Sequence, residues 1–172
     1  MPHDSGVSRS AWIQVFLFLH IVGAIAAVGP TLTYGMWIAR AERMDPKIRA
    51  FVLKTVAWVD NHLATPAFIV QAATGTALFL LLKLRFWHTA WLLTGVAVYA
   101  VTAVFAVTLY APVVKRQIVL TEQVAGDPAN EALRRDYATL AVRARAFGIA
   151  AAVLTMAILY FMIVKPALWS AG

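Results

Sequence analysis

The sequence predicts an all-α fold: a polytopic membrane four-helix bundle, built as two antiparallel helical hairpins whose helices extend into the cytoplasm. Three observations carry this. Of the 172 residues, 62% are hydrophobic and 13% charged, whereas an ordinary soluble domain is nearer half apolar and a quarter charged. Four apolar runs, about 12–39, 63–84, 87–114 and 146–164, each approach or exceed the roughly 20 residues that cross the hydrocarbon. None alternates with the period of a barrel strand, so helices are how this backbone satisfies itself in lipid. The length suits one integral membrane domain over 1–172, with TM1 at about 11–40, TM2 at 47–84, TM3 at 87–120 and TM4 at 128–166.

The first element starts from MPHDSGVSRSAWIQVF. Its apolar run is too long for a cleavable signal, and no small-residue cleavage site precedes the polar loop, so TM1 is expected to be its own insertion signal. Pro30 should kink TM1. In the second element Ile48, Phe51, Val52, Thr55, Val56 and Val59 recur at helical spacing, so that helix should begin near residue 46. Asp45 is placed to cap it and Pro46 to occupy its first position. Pro66 removes the hydrogen bond to the His62 carbonyl and should kink TM2. The turn Lys83 to Phe86 is short enough to make TM2 and TM3 antiparallel neighbours. Asp127-Pro128, after Gly126, reads as the start of TM4.

Orientation follows from the basic residues. Arg40, Arg43, Lys47, Arg49 and Lys54 lie in the first connection, and Lys115, Arg116, Arg134, Arg135, Arg143 and Arg145 in the third. The other side has Arg9, Lys83, Arg85 and Lys165. The positive-inside rule then puts both termini outside the cytoplasmic membrane of a bacterium. Trp12, Trp87, Trp91 and Trp169 form an outer belt, and Trp37 and Trp58 an inner one. The net charge of +7 is thus accounted for by the loops and does not call for nucleic acid. The chain has no cysteine, which excludes disulfides, thiolate metal sites, iron–sulfur clusters and covalent haem attachment.

The residue types that carry chemistry are histidines. His20 stands inside the apolar run of TM1, and an ionisable side chain in hydrocarbon is a functional-site hypothesis by default. Gly23, Ala24 and Ala27 share its face, leaving room for a flat ligand or for another helix. His62 sits in VDNHLATP beside Asp60, Asn61 and Thr65, and His88 opens TM3 beside Trp87. His3 lies in the polar tail. No HExxH pair, carboxylate–histidine cluster, methionine cluster, phosphate loop or Ser/His/Asp set is present. One ligand chemistry that suits these imidazoles is b-type haem, held noncovalently by axial imidazole, with His20 and His62 as the candidate metal ligands; the spacing alone does not single it out. His88 and Arg85 complete the expected cofactor-binding set, and Lys83, Arg85 and Arg9 suit the propionates. Depth argues against an easy pairing. His20 lies about 15 Å below the outer end of TM1, but His62 lies about 30 Å along TM2 from that side. A lone membrane histidine also serves as a helix–helix hydrogen-bond donor, so ligand and packing both stay open for His20.

The stretch FLHIVGAIAAVGPTLTYGMWIAR resembles the first helix of the small bacterial membrane proteins classed as domain of unknown function 2269. Pro66, Thr74-Gly75 and the ending FMIVKPALW fit the same family. The Leu-His-x-x-Gly opening is also similar to the bacterial membrane protoporphyrinogen oxidase, the copper-resistance D proteins and the membrane domain of a urate oxidase. The resemblance implies a TM1 haem ligand, by position His20. The oxidase's partner ligand is a TM3 lysine, which this TM3 lacks before Lys115, so His62 becomes the first replacement. Where usual members carry Trp-x-Gly-Gly, this chain has Ala27-Val28-Gly29-Pro30. The expected function is an integral membrane, cytochrome b-like protein for electron transfer, haem-linked oxidation or gas sensing. A copper-handling protein and a non-catalytic accessory protein are the alternatives. Expected partners are membrane lipids and haem, with a redox partner or a second copy left open.

Overall fold

The structure, a computed structural model, describes residues 4–166; His3 and Trp169 lie outside the described residues. Four long helices account for nearly all of it: α1 is Asp4–Ala41, α2 Pro46–Leu82, α3 Ala90–Gly126 and α4 Glu131–Val164. The last three have 37, 37 and 34 residues, or roughly 50–55 Å at helical rise, against about 30 Å of hydrocarbon. Each helix therefore overshoots the membrane. The surplus lies at the end carrying the α1–α2 and α3–α4 turns, where most of the arginines are. We call this the basic end.

Packing follows membrane rules. Large apolar side chains such as Phe18, Ile25, Ile69, Val107 and Ile163 face outward, where lipid is as good a solvent as a protein core. Small residues make up much of the interior: Ala27, Ala64 and Thr121 are fully buried and Ala41 nearly so, beside larger buried side chains such as Leu53 and Tyr137. Small side chains let backbones approach closely, which is what drives helix association when no hydrophobic effect operates between them.

The helix starts are read differently from one another. Asp45 caps α2 as expected, its carboxylate accepting from the Lys47 N–H at 2.8 Å with Pro46 in the first position. Asp127-Pro128 does not start α4. It lies in the turn, and Asn130 is the cap, accepting from the Leu133 N–H at 3.2 Å.

Both central helices contain one π-turn, Asp60–Ala64 in α2 and Ala106–Tyr110 in α3. Each precedes a proline by the same offset, Pro66 and Pro112. A proline lacks the N–H that the preceding turn needs and its ring crowds the carbonyl four residues back; a local i→i+5 turn is one way a helix accommodates this. The Thr65 N–H accordingly bonds the Asp60 carbonyl. The expected disturbance at Pro66 takes this form, and Pro112 repeats it.

The bundle is closed at the basic end and opened at the other. Tyr137 of α4 donates to the carboxylate of Glu42, in the turn that follows α1. Arg49 of α2 donates to the Glu42 carbonyl at 3.0 Å and lies over the Tyr137 ring at 4.9 Å. At the short-turn end the expected close pairing of α2 with α3 is not kept: no Cα of 65–82 comes within 8 Å of a Cα of 90–105. Residues 65–82 pack on α1 and residues 90–105 on α4. The connection is longer than the four residues read from the sequence, because Lys83 ends α2 in the left-handed conformation (φ 53°) and a 3-10 turn, Phe86–His88, follows. Large side chains bridge the separation, with Tyr99 donating to the Phe68 carbonyl at 2.6 Å.

Candidate functional site

His20 lies half-buried between α1 and α2. Its Nδ1 is 2.9 Å from Thr74 Oγ1. The threonine has one hydroxyl proton, and that proton goes to the Val70 carbonyl of its own helix at 2.7 Å. Thr74 Oγ1 therefore accepts from His20 Nδ1–H. With the threonine proton on Val70, the neutral imidazole carries its own proton on Nδ1, and Nε2 is the nitrogen that can accept. An imidazole with Nδ1–H anchored on an oxygen and Nε2 bare is the form that ligates a metal.

Gly75 makes this position possible. A Cβ there would stand 3.2 Å from His20 Cε1, tighter than ordinary van der Waals contact, so the ring rests on the bare glycine. One turn further along α1, Gly23 meets Gln71 Cγ and the Ala67 carbonyl, and Ala27 is wholly buried. The small-residue face of Gly23, Ala24 and Ala27 thus receives helix α2. A flat ligand does not occupy that face in this arrangement.

The other expected residues lie elsewhere. His62 is exposed, with its ring stacked on Trp58 (centroids 4.6 Å apart, 19° between planes) and its Nδ1 donating to the Trp58 carbonyl at 2.9 Å. It was expected to be buried and to share a metal with His20. Thr74, which marks the level of His20, is twelve residues further along α2, about 18 Å at helical rise. The two imidazoles therefore do not converge. His88 is exposed in the 3-10 turn, beyond the end of α2, and Arg85 is exposed beside it. Arg9 donates to the Leu81 carbonyl, Nε at 3.1 Å. It precedes His20 by eleven residues, three helical turns, and so shares its face. Among the described residues no three His, Cys, Asp or Glu side chains come together as a metal site.

A second polar centre lies deeper toward the basic end. Tyr34 of α1, Asp60 at the start of one π-turn and Tyr110 at the end of the other line a cavity of about 170 Å³ inside the bundle. The Tyr34 hydroxyl is buried and has no hydrogen-bond partner. The sequence reading noticed Asp60 but neither tyrosine. The available signal was Pro112, which sits inside an apolar run as Pro66 does.

Four helices long and apolar enough to cross a membrane, packed through small residues beside a half-buried histidine hydrogen-bonded to threonine, define an integral membrane helical bundle. The chain belongs to the family described as "Predicted integral membrane protein (DUF2269)", whose sequence model matches residues 14–166. It matches no curated protein and no solved structure.

Proposed function

We propose that this integral membrane protein holds haem b through the Nε2 of His20. The single observation that supports the reading is the 2.9 Å hydrogen bond between His20 Nδ1 and Thr74 Oγ1, which, with the threonine proton on the Val70 carbonyl, leaves Nε2 for a metal. The donor set fits the group in kind: one imidazole anchored on Thr74 for the iron, no cysteine for covalent attachment, and Arg9, Lys83 and Arg85 toward the short-turn end for the propionates. Since α2 covers Gly23 and Ala27, a ring held by His20 lies off that face, and these residues serve helix packing. His62 and His88 are not its second ligand. Bound haem would supply one-electron or gas-binding chemistry. The chain's own contribution is to hold the imidazole's orientation through Thr74 and to keep water away with the outward apolar surface.

The proposed setting is the bacterial cytoplasmic membrane with both termini outside, which rests on the arginine and lysine count of the loops. Copper handling has less support, because no cluster of potential ligands converges among the described residues.

The test is direct. Protein purified in mild detergent from cells supplied with haem precursor should carry haem b near one per chain, and His20→Ala should lose most of it while His62→Ala keeps it. A colourless wild-type protein that takes up no added haem overturns the proposal and leaves the accessory-protein reading.

A further inference from the structure

We propose that Asp60, Tyr34 and Tyr110 form a proton-exchange site inside the bundle, at the level where the helices enter the hydrocarbon from the basic end, filled by water that enters from that end. The site is separate from the His20 interface and does not depend on haem.

The helices bring the three groups to one level. Asp60 is fourteen residues from Pro46, the basic end of α2, and Tyr110 is sixteen from Gly126, the basic end of α3. In antiparallel helices both therefore lie roughly 21–24 Å in. The π-turns that follow from Pro66 and Pro112 carry these side chains at their edges, and Tyr34 faces them from α1, within electrostatic reach of both.

Three observations point to water. The cavity holds about 170 Å³, and a water needs about 10–15 Å³ of such volume with two to four polar partners. Tyr34 is 7% exposed, and its hydroxyl lines the cavity unpaired. A buried hydroxyl left unpaired costs about 1–3 kcal/mol, and a water shared with Asp60 removes that cost. The cavity also adjoins a groove at the basic end. The cavity lining runs from Thr31 and Asp60 to Glu42, Ala141 and Arg145, and those last three residues also line the groove, which holds about 580 Å³. The cavity and the groove therefore share a wall at Glu42, Ala141 and Arg145, and water enters across it.

Tyr34 from α1 and Tyr110 from α3 are within electrostatic reach of Asp60; Gln117 from α3 and Arg145 from α4 also line the cavity, and Glu42 and Arg49 line the groove at its basic-end wall. A proton passes from a hydronium in the cavity to the Asp60 carboxylate, giving the acid and a water. The reverse step returns it, and no electron moves. The two phenols donate to the water chain and hold it in place.

The experiment uses the absence of cysteine. Gly148 lines the cavity, Gly29 is exposed on α1 outside it, and a Cβ at either meets nothing within 4 Å. Gly148→Cys should therefore react with a water-soluble methanethiosulfonate at least about tenfold faster than Gly29→Cys, because the hydrated thiolate is the reacting species. Equal, slow rates mean a dry cavity and overturn the proposal. Infrared spectra across a pH titration should show a carboxylic-acid C=O band that Asp60→Asn lacks. A band unchanged in that variant overturns the assignment to Asp60. Both measurements should be the same in His20→Ala, so their outcome is independent of the haem reading.

Discussion

Thr74→Val removes one oxygen and keeps the shape of the side chain. The structure sets the expected size of its effect. His20 Nδ1–H loses its acceptor at 2.9 Å, and a buried donor with no partner costs about 1–3 kcal/mol in a soluble core. In membranes measured interhelical hydrogen bonds average about 0.6 and reach about 1.7 kcal/mol, because the separated helices also find partners. The Gln71 carbonyl is within bonding reach of the same imidazole and offers such a partner here. The membrane figure therefore governs, and we expect a loss of about 0.6–1.7 kcal/mol. Thr76→Val is the control: its hydroxyl is exposed and bonds the Ala72 carbonyl of its own helix at 2.8 Å, so its change should stay within about 0.5 kcal/mol. Equilibrium unfolding by SDS in mixed micelles reads both. The same substitution frees the tautomer, and loss of such an outer partner weakens metal affinity on the order of 10–100-fold. The reasoning is refuted if the two valine variants unfold alike, or if a double-mutant cycle with His20→Ala finds no coupling.

Three further outcomes are expected. Gly148→Ala, with open space at its Cβ, should gain up to about 1 kcal/mol from helix propensity; Gly75→Ala should lose that gain, because its Cβ meets His20 Cε1 at 3.2 Å and overpacking costs about 1–3 kcal/mol. The same SDS titration compares them. Asp45→Ala should cost about 0.5–2 kcal/mol through loss of the α2 cap, and Asp45→Asn should recover most of it. Tyr137 stands on the part of α4 that precedes its apolar run, and burial, then the Glu42 carboxylate, pushes its pKa up to about 12. A folded-state pKa above the unfolded value means that the protonated phenol stabilises the fold. That contribution is complete below about pH 10 and is lost as the pH rises toward 12. Tyr137→Phe should flatten the stability profile over this window, and an unchanged profile would exclude the phenol as its source.

The four helices were legible because lipid leaves a backbone few alternatives, and Asp45-Pro46 was legible because cap and proline coincide. The start of α4 was not. Asp127-Pro128 carries the same dipeptide, yet the chain spends it on the turn and caps with Asn130, whose following Glu131 is the better-placed first-turn acid. The face of His20 could be read but not its occupant, since Gly23, Ala24 and Ala27 suit a helix and a planar ligand equally. His62 shows a register problem. Residues two apart on a helix point to nearly opposite sides, so once Asp60 turns inward to Tyr34 and Tyr110, His62 must turn outward to Trp58. Nothing local in VDNHLATP says which of the two is inside; that is decided by α1 and α3. Pro112 carried the same physical message as Pro66, but no ionisable neighbour drew attention to it.

The measurement that bears most directly on His20 is the dithionite-reduced minus oxidised absorption spectrum of membranes containing the wild-type chain and the His20→Ala chain at equal expression. The account predicts b-type haem bands in the first that are largely absent in the second, with His62→Ala retaining them. Equal bands in the His20→Ala membranes, or none in the wild type above cells lacking the protein, would contradict it.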